Sequence, residues 1–506
     1  MIRVNDQNQV QLFTSPFEQE LDLENRWVKF LKVLPWDKLS GFYYSRMHAN
    51  MGAGTTDARI VLGAILIKHH ETLSDEGTVE AIKENVYMQY FLGLPSFKTS
   101  AVFAPSLFVE IRKRLGLDYW NEINDIIIKH NTKKKMDDSD PPKIPPETKQ
   151  SIKTSDELAS EIAIIPTNSG TINIDATIVE QDIQYPTDLG LLNEYREKLE
   201  ELIDVICLKT GQEKPRIYRI EARKKYLNVA KKKKRTYKII RKAVGQQLNY
   251  VNRDLKKLEL LLQDYSNPDW IFTKHDLKYI QVINEVCRQQ KEMHVAKTRS
   301  TPNRIVSIHQ PHVRPMVRGK AGSSVEFGSK IGVCVHDGLT YLDHLSWERY
   351  NETEDLKTSA NNYKKRNGYY PAKINADQIY ITRENRNWCK GNNIQLINGK
   401  PLGRPTEKTK QRIKELKQAV GERNCIEGKF GQAKRWYGMG NIHAKLKTTS
   451  ESMIGAIVVV LNLIRLVKQH VPTFLATYFN KLSFFSKIKI GIERDFLSEP
   501  YLFFKF

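Results

Sequence analysis

Cysteine is scarce in this chain and follows no pattern. The 506 residues hold five, Cys207, Cys287, Cys334, Cys389 and Cys425. An odd number without a CxxC pair indicates neither a disulfide framework nor a zinc module, and a reducing cytoplasm suits it. Long apolar runs are missing as well. The most apolar stretch, Met453 to Leu466, is broken by Asn462 and Arg465 and falls short of the roughly 20 residues that span a membrane. The N-terminus lacks a basic start followed by an apolar core, so neither export nor membrane insertion is expected. Acidic residues are in deficit, 58 Asp and Glu against 80 Lys and Arg. The resulting net charge of +22 points to a polyanionic partner, nucleic acid ahead of an anionic membrane surface. A hydrophobic fraction of 40% lies well away from the composition of disorder. The length implies two or more modules around at least one large core.

Residues from Trp27 to His130 read as amphipathic helices broken near Gly52–Gly54, Leu73–Ser74 and Gly93–Pro95. Thr55 and Thr56 are placed to cap a helix through Ile60, Leu62, Ile65 and Leu66, and Ser74 opens the next. Such a domain reads DNA through a helix-turn-helix or serves oligomerisation and packing, and the pattern alone leaves both open. Asn131 to Thr154, rich in Lys, Asp, Pro and Ser, has linker composition. Beyond it, Gly170 to Val179 is a β-branched run with Asp175 near its middle, the pattern of a buried strand.

From Leu189 to about Ala296 the apolar period becomes helical, with one stripe from Leu192 to Ile206 and another from Leu248 to Leu262, which predicts an antiparallel helical hairpin. Between the stripes lies the densest positive stretch, Arg216 to Lys242, including Lys231, Lys232, Lys233, Lys234 and Arg235 in unbroken succession. A charge run is often a solvated face, but five adjacent cations repel one another, and phosphate contact explains their retention. Strands return at Val325–Val335 and Leu339–Leu345 around an Asp337-Gly338 turn. Then come a helix (Glu354–Arg366), a short strand ending on Asp377, a helix (Thr382–Lys390), a strand (Ile394–Ile397), a long helix (Glu407–Lys434) and a final apolar helix (Ser450–Lys468).

With the helical block set aside as an insertion, the order is strand, strand, strand, helix, strand, helix, strand, helix, that of a ribonuclease H-like α/β core. Metal-dependent phosphoryl transfer in such a fold needs three carboxylates around two divalent ions roughly 3.5 to 4 Å apart: one in the first strand, one just past the fourth, one on the last helix. Asp175, Asp377 and Glu427 occupy those places. Glu422 competes for the third. At about 100° per residue, Arg423, Glu427 and Lys434 share one helix face and Glu422 points away from it. On that face Glu427 would hold metal while Arg423 and Lys434 meet phosphates of the strand being cut.

Arg423-Asn-Cys-Ile-Glu427, followed at Lys434 by the next basic residue of the pattern, resembles the Arg-x3-Glu-x6-Lys signature of IS4- and IS5-like bacterial insertion-sequence transposases. Further stretches are similar to the same group: Asn173 to Glu180, Arg318-Gly-Lys320, Val325 to Lys330, Thr382 to Arg386 and Pro401 to Pro405. In the N-terminal region Pro35-Trp36, Gln89 to Gly93 and Arg112 to Gly116 resemble the helical domain such enzymes carry before the catalytic core. The resemblance is closest to the IS5 and IS1182 branches. One departure is Val420, where the fuller signature has tyrosine. Trp436 and Tyr437 nearby are placed either to stack on a displaced base or to pack at the helix end.

This resemblance implies a DDE transposase that uses two Mg²⁺ (or Mn²⁺) ions per site, with Arg423, Lys434, Arg318 and Lys320 on DNA beside the Lys231 to Arg235 run already assigned to phosphate by its charge. Its partners would be the terminal inverted repeats of its own element and the target DNA, and it would act as a homodimer on paired ends in the bacterial cytoplasm, at the nucleoid. The expected layout is an all-α N-terminal domain for DNA binding or dimerisation (1–130), a linker (131–165), a ribonuclease H-like catalytic domain (166–470) with a helical insertion after its first strand (189–297), and a tail (471–506). Two alternatives share much of this: a nuclease or resolvase of the same fold that cuts without joining, and a DNA-binding protein that has lost catalysis.

Overall fold

The computed structural model describes residues 21–47, 55–137, 168–265, 267–317, 325–397 and 407–470. Arg318, Lys320, the Pro401–Pro405 stretch, most of the expected linker and the C-terminal tail lie outside them.

The described residues of the N-terminal region form helices without strands: α1 (Arg26–Val33), α2 (Trp36–Ser45), α3 (Ala58–Glu71), α4 (Asp75–Glu84), α5 (Val86–Phe91), α6 (Ser106–Arg114) and α7 (Leu117–Asp137). Ser74 caps α4 as its sequence predicts, its side chain accepting from the Gly77 amide. The cap of α3 is Asp57, not Thr55 or Thr56, because its carboxylate accepts from the Arg59 amide two residues on. Helix α7 continues to Asp137, into the stretch whose composition reads as linker.

A six-stranded sheet forms the centre, with strands β1 (Thr171–Glu180), β2 (Arg314–Val317), β3 (Val325–His336), β4 (Leu339–Ser346), β5 (Lys373–Asn375) and β6 (Gln395–Ile397). β3 pairs antiparallel with β1, β2 and β4, while β5 lies parallel to β1 and β6 parallel to β5. The β3–β4 turn is the expected one, Asp337 and Gly338 both taking positive φ (52° and 77°), the geometry of a two-residue hairpin. β2 was not anticipated. It is a four-residue edge strand whose one partner among the described residues is β3, so its sequence carries little periodic signal. Helices α12 (Asp355–Asn367), α13 (Arg383–Gly391), α14 (Glu407–Trp436) and α15 (Lys447–His470) complete this part.

The block after β1 is larger than a hairpin. It comprises α8 (Asp188–Thr210), α9 (Arg219–Ala230), α10 (Tyr237–Leu262) and α11 (Lys274–Ala296), which share a core of their own. Both predicted stripes are there: Leu192, Tyr195, Leu199, Ile203 and Ile206 on α8 against Leu248, Val251, Leu255 and Leu258 on α10. The hairpin expectation fails because α9 and α11 also pack against this pair, and helix pairing between distant segments leaves no mark on local periodicity.

Inside the block, Arg196 is buried and bonded to Glu200 and Asn193, and the Asp254 carboxyl of α10 lies nearby. Burial pushes Asp254 up to about 6, with Arg253 opposing and Glu200 adding to the rise. A folded value above the unfolded one means that ionising Asp254 opposes folding. The penalty grows as pH rises from about 4 to about 6 and is constant above. Asp254→Asn should therefore raise the melting temperature relative to wild type by more at pH 7 than at pH 4. Melts giving the same difference at both values would contradict this.

α15 ties the N-terminal helices to the sheet. Trp120 Nε1 of α7 donates to Ser452 Oγ (2.9 Å). Asn462, one of the breaks in the apolar run, donates from Nδ2 to the Thr340 carbonyl of β4 (2.7 Å) and to Asn124 Oδ1 of α7 (2.8 Å), while its Oδ1 accepts from the Thr340 amide (2.7 Å). Each bond satisfies a polar group that would otherwise be costly to bury. Trp27, Phe91 and Trp120 share one continuous apolar core with Ile172 and Ile374 of the sheet and Val459 of α15. Among the described residues α15 is long and apolar enough to cross a membrane, beyond the length expected from the broken run, but 72% of its most apolar window is buried inside the protein. All five cysteines are free.

Candidate active site

Parallel pairing of β1 with β5 sets Asn173 opposite Asn375. Because strand side chains alternate, Asp175 and Asp377, each two residues further on, continue the same face at the C-terminal ends of that pairing. Asp175 Oδ1 accepts from the Ala176 amide (2.8 Å). Asp377 caps a 3₁₀ turn, Gln378–Tyr380, accepting from the Gln378 amide (2.8 Å).

Helix α14 packs beside these strands and brings Arg423 between the acids. Its Nη1 lies 3.6 Å from Asp377 Oδ1, and its Nη2 lies 3.8 Å from Glu427 Oε1. Burial pushes the Asp175 carboxyl up to about 6; the Ala176 amide and Arg423 pull it down, and Asp377 and Glu352 push it further up. Asp377 and Glu427 thus flank one guanidinium whose charge also reaches Asp175. The donor atoms of these three acids are all carboxylate oxygens, which suit a hard divalent ion. As placed, however, no three His, Cys, Asp or Glu side chains among the described residues are close enough together to hold a metal ion. Arg423 occupies the ground between Asp377 and Glu427.

Glu422 leaves α14 in another direction. Its Oε2 accepts from Asn375 Nδ2 (3.0 Å) and Lys373 Nζ (3.2 Å), and its Oε1 from Gln418 (3.0 Å). Burial alone would raise its pKa, but these donors together hold it below the usual value. Asn375 also donates to Asn173 Oδ1 (2.9 Å), so Glu422 braces the β1–β5 pairing. A glutamine there keeps an acceptor for Asn375 and loses a half-exposed ion pair worth about 1 kcal/mol or less. Glu422→Gln should keep most activity, whereas Glu427→Gln should lose it. Equal losses in a side-by-side nicking assay would overturn the choice of Glu427.

Glu352 is an acid that the sequence pattern does not single out. It stands on a 3₁₀ turn after β4, paired with Lys330 of β3 (3.3 Å), and its charge reaches Asp175. No spacing rule reveals it, because the approach depends on the β3–β4 fold-back. The aromatic pair at the end of α14 divides: Tyr437 packs against His70 (ring centroids 6.0 Å apart), as helix-end packing requires, but Trp436 is 66% exposed and does not. Val420 is exposed too. Lys231 to Arg235 form the exposed link between α9 and α10.

Residues 374–464, which include Asp377 and Glu427, match a family model described as a transposase DDE domain. Residues 15–114 match a model described as a transposase domain. Two separate stretches of the chain are thus similar to domains found in transposases. The chain is also similar to an uncharacterized protein, ORF8 in the nfe locus of Rhizobium meliloti, at 25% identity over 185 residues, 36% of this chain and 73% of that protein. No solved structure matches.

Proposed function

We propose that the chain is the DNA transposase of an insertion sequence: it binds the terminal inverted repeats of its element, cuts there, and joins the freed 3′-OH ends to target DNA. The observation that carries this reading is that Arg423 of α14 pairs with both Asp377, at the end of β5, and Glu427 of α14, while its charge reaches Asp175 of β1. The strand order β4-β3-β1-β5-β6, with the last two parallel to β1, is the order expected of a ribonuclease H-like core and supports the reading further.

Asp175, Asp377 and Glu427 are the side chains that would hold two Mg²⁺ or Mn²⁺ ions if they drew closer together than they stand here, and such ions would supply activation of the attacking oxygen and stabilisation of the leaving one. The protein's own side chains do the rest. Among the described residues Arg423 supplies positive charge that favours the ionised form of the Asp175 carboxyl, against the burial that raises its pKa. With Lys434 on the same face of α14, it is placed to take the phosphate oxygens flanking the scissile bond. Lys231 to Arg235 grip the backbone further away, without reading bases.

In the first step a water oxygen bonds to phosphorus, the phosphorus–3′-oxygen bond breaks, and that oxygen leaves as a 3′-OH after taking a proton. In the second the 3′-OH oxygen bonds to a target phosphorus and displaces another 3′ oxygen. The second step exchanges one phosphodiester for another, so no energy-rich cofactor is required. A dimer, each copy serving one end, suits the handling of paired ends.

The test is a joining assay with purified protein, a divalent ion, inverted-repeat ends bearing 3′-OH and a circular target. Covalently joined products are expected. Cutting without joining would make the protein a nuclease, and binding with neither would make it a DNA-binding protein without catalysis.

A further inference from the structure

The block after β1 holds a second concave surface, far along the chain from the carboxylates and distinct from the Lys231–Arg235 link. A groove of about 730 Å³ runs between α10 and α11. Its α10 wall presents Lys238, Lys242, Asn249 and Asn252, successive positions three, four or seven apart and therefore one stripe of the helix. Arg241 and Gln246 flank that stripe, and α11 contributes Lys291 and His294.

Among the described residues no Asp or Glu lines this groove. The acids of α11 nearest to it in sequence, Glu285 and Glu292, are taken by Arg288 of the same helix (2.6 and 2.5 Å). Lys238, Lys242 and Lys291 have no carboxylate partner among the described residues, and Arg241 is spent on the His294 carbonyl (3.1 Å). Like charges gathered in a concave wall raise one another's energy unless an anion compensates them. Spaced along a helix rising 1.5 Å per residue, the stripe from Lys238 to Asn252 covers roughly 20 Å, room for several consecutive phosphates of one strand. Amide side chains at its far end supply neutral donors for phosphate or sugar oxygens.

We propose that this groove is a binding track for a DNA phosphodiester backbone. The track begins where the Lys231–Arg235 link enters α10, so DNA gripped by the link continues along it. This rests on the transposase reading only in taking DNA as the polyanion.

The test measures affinity of the full chain for a random-sequence duplex at several salt concentrations, with a light-scattering mass for each protein. Changing Lys238, Lys242 and Lys291 together to Gln should make the slope of log affinity against log salt shallower by about 2 to 3, since each phosphate neutralised on duplex contributes roughly 0.9. Asn249→Lys, which adds a cation to the wall, should steepen it by about 1. All four side chains are exposed, so folding should be undisturbed. If the wild-type protein binds DNA but neither variant moves the slope, the track is overturned while the transposase reading stands. A change of mass in the triple variant would identify the groove as a contact between copies and overturn the track likewise. Failure of the wild-type protein to bind DNA at all would overturn both.

Discussion

Asp377→Ala is expected to lower the rate of nicking at inverted-repeat ends by on the order of 10³-fold, a loss of about 4 kcal/mol of transition-state stabilisation. Asp175→Ala and Glu427→Ala should do the same. Binding should behave differently, because each substitution deletes a negative charge beside the path of an anionic strand. Affinity for end DNA should hold steady or tighten, and the tightening should be larger at low salt. The combination separates loss of chemistry from loss of fold, which would weaken binding too. Near wild-type nicking by the Asp377→Ala protein in Mg²⁺ would remove that residue from the site.

The second large effect concerns the sheet that carries Asp175. A Cβ at Gly328 would lie 1.9 Å from the Val179 carbonyl oxygen and 3.0 Å from the Glu180 Cα, backbone atoms of the paired strand that cannot rotate away. Gly328→Val must therefore push β3 from β1 at the point where the two part. It should cost about 3 kcal/mol or more, the upper range for overpacking, and reduce nicking with it. Gly421 on α14 is the control: nothing lies within 4 Å of a Cβ there, so Gly421→Ala should gain up to about 1 kcal/mol from helix propensity. A Gly328→Val protein that melts with the wild type would show that the strands part more easily than this close approach implies.

Much of this was legible in the sequence where the physics is local. The Asp337-Gly338 turn, the Ser74 cap, the β-branched run around Asp175 and the two apolar stripes of α8 and α10 each follow from residues a few positions apart. Even there the cap of α3 shifts to Asp57, because an aspartate one residue closer to the helix competes better for its amides than two threonines do. What sequence pattern missed depends on chain segments meeting from afar. The edge strand β2 exists only through β3, the hairpin became a packed group of helices through α9 and α11, and Glu352 nears Asp175 only after β4 folds back. For the acids themselves, the pattern supplied residue types and order. The nearness of Arg423 to Glu427 follows from their spacing on α14, whereas its approach to Asp377 came from the packing of α14 on the strands.

The position of α15 has a consequence for the order of events at the ribosome. The apolar faces of α1, α3 and α7 find part of their cover on a helix that begins at Lys447. At about 5 to 20 residues per second, synthesis of the roughly 300 residues between α7 and α15 takes on the order of 15 to 60 s. Throughout that interval the first helices emerge without their final partner, exposing Trp120 and its neighbours to other nascent chains. A translation product ending before Lys447 would leave that surface bare for good. Such fragments should accumulate as aggregates or chaperone-bound species rather than as soluble N-terminal domains.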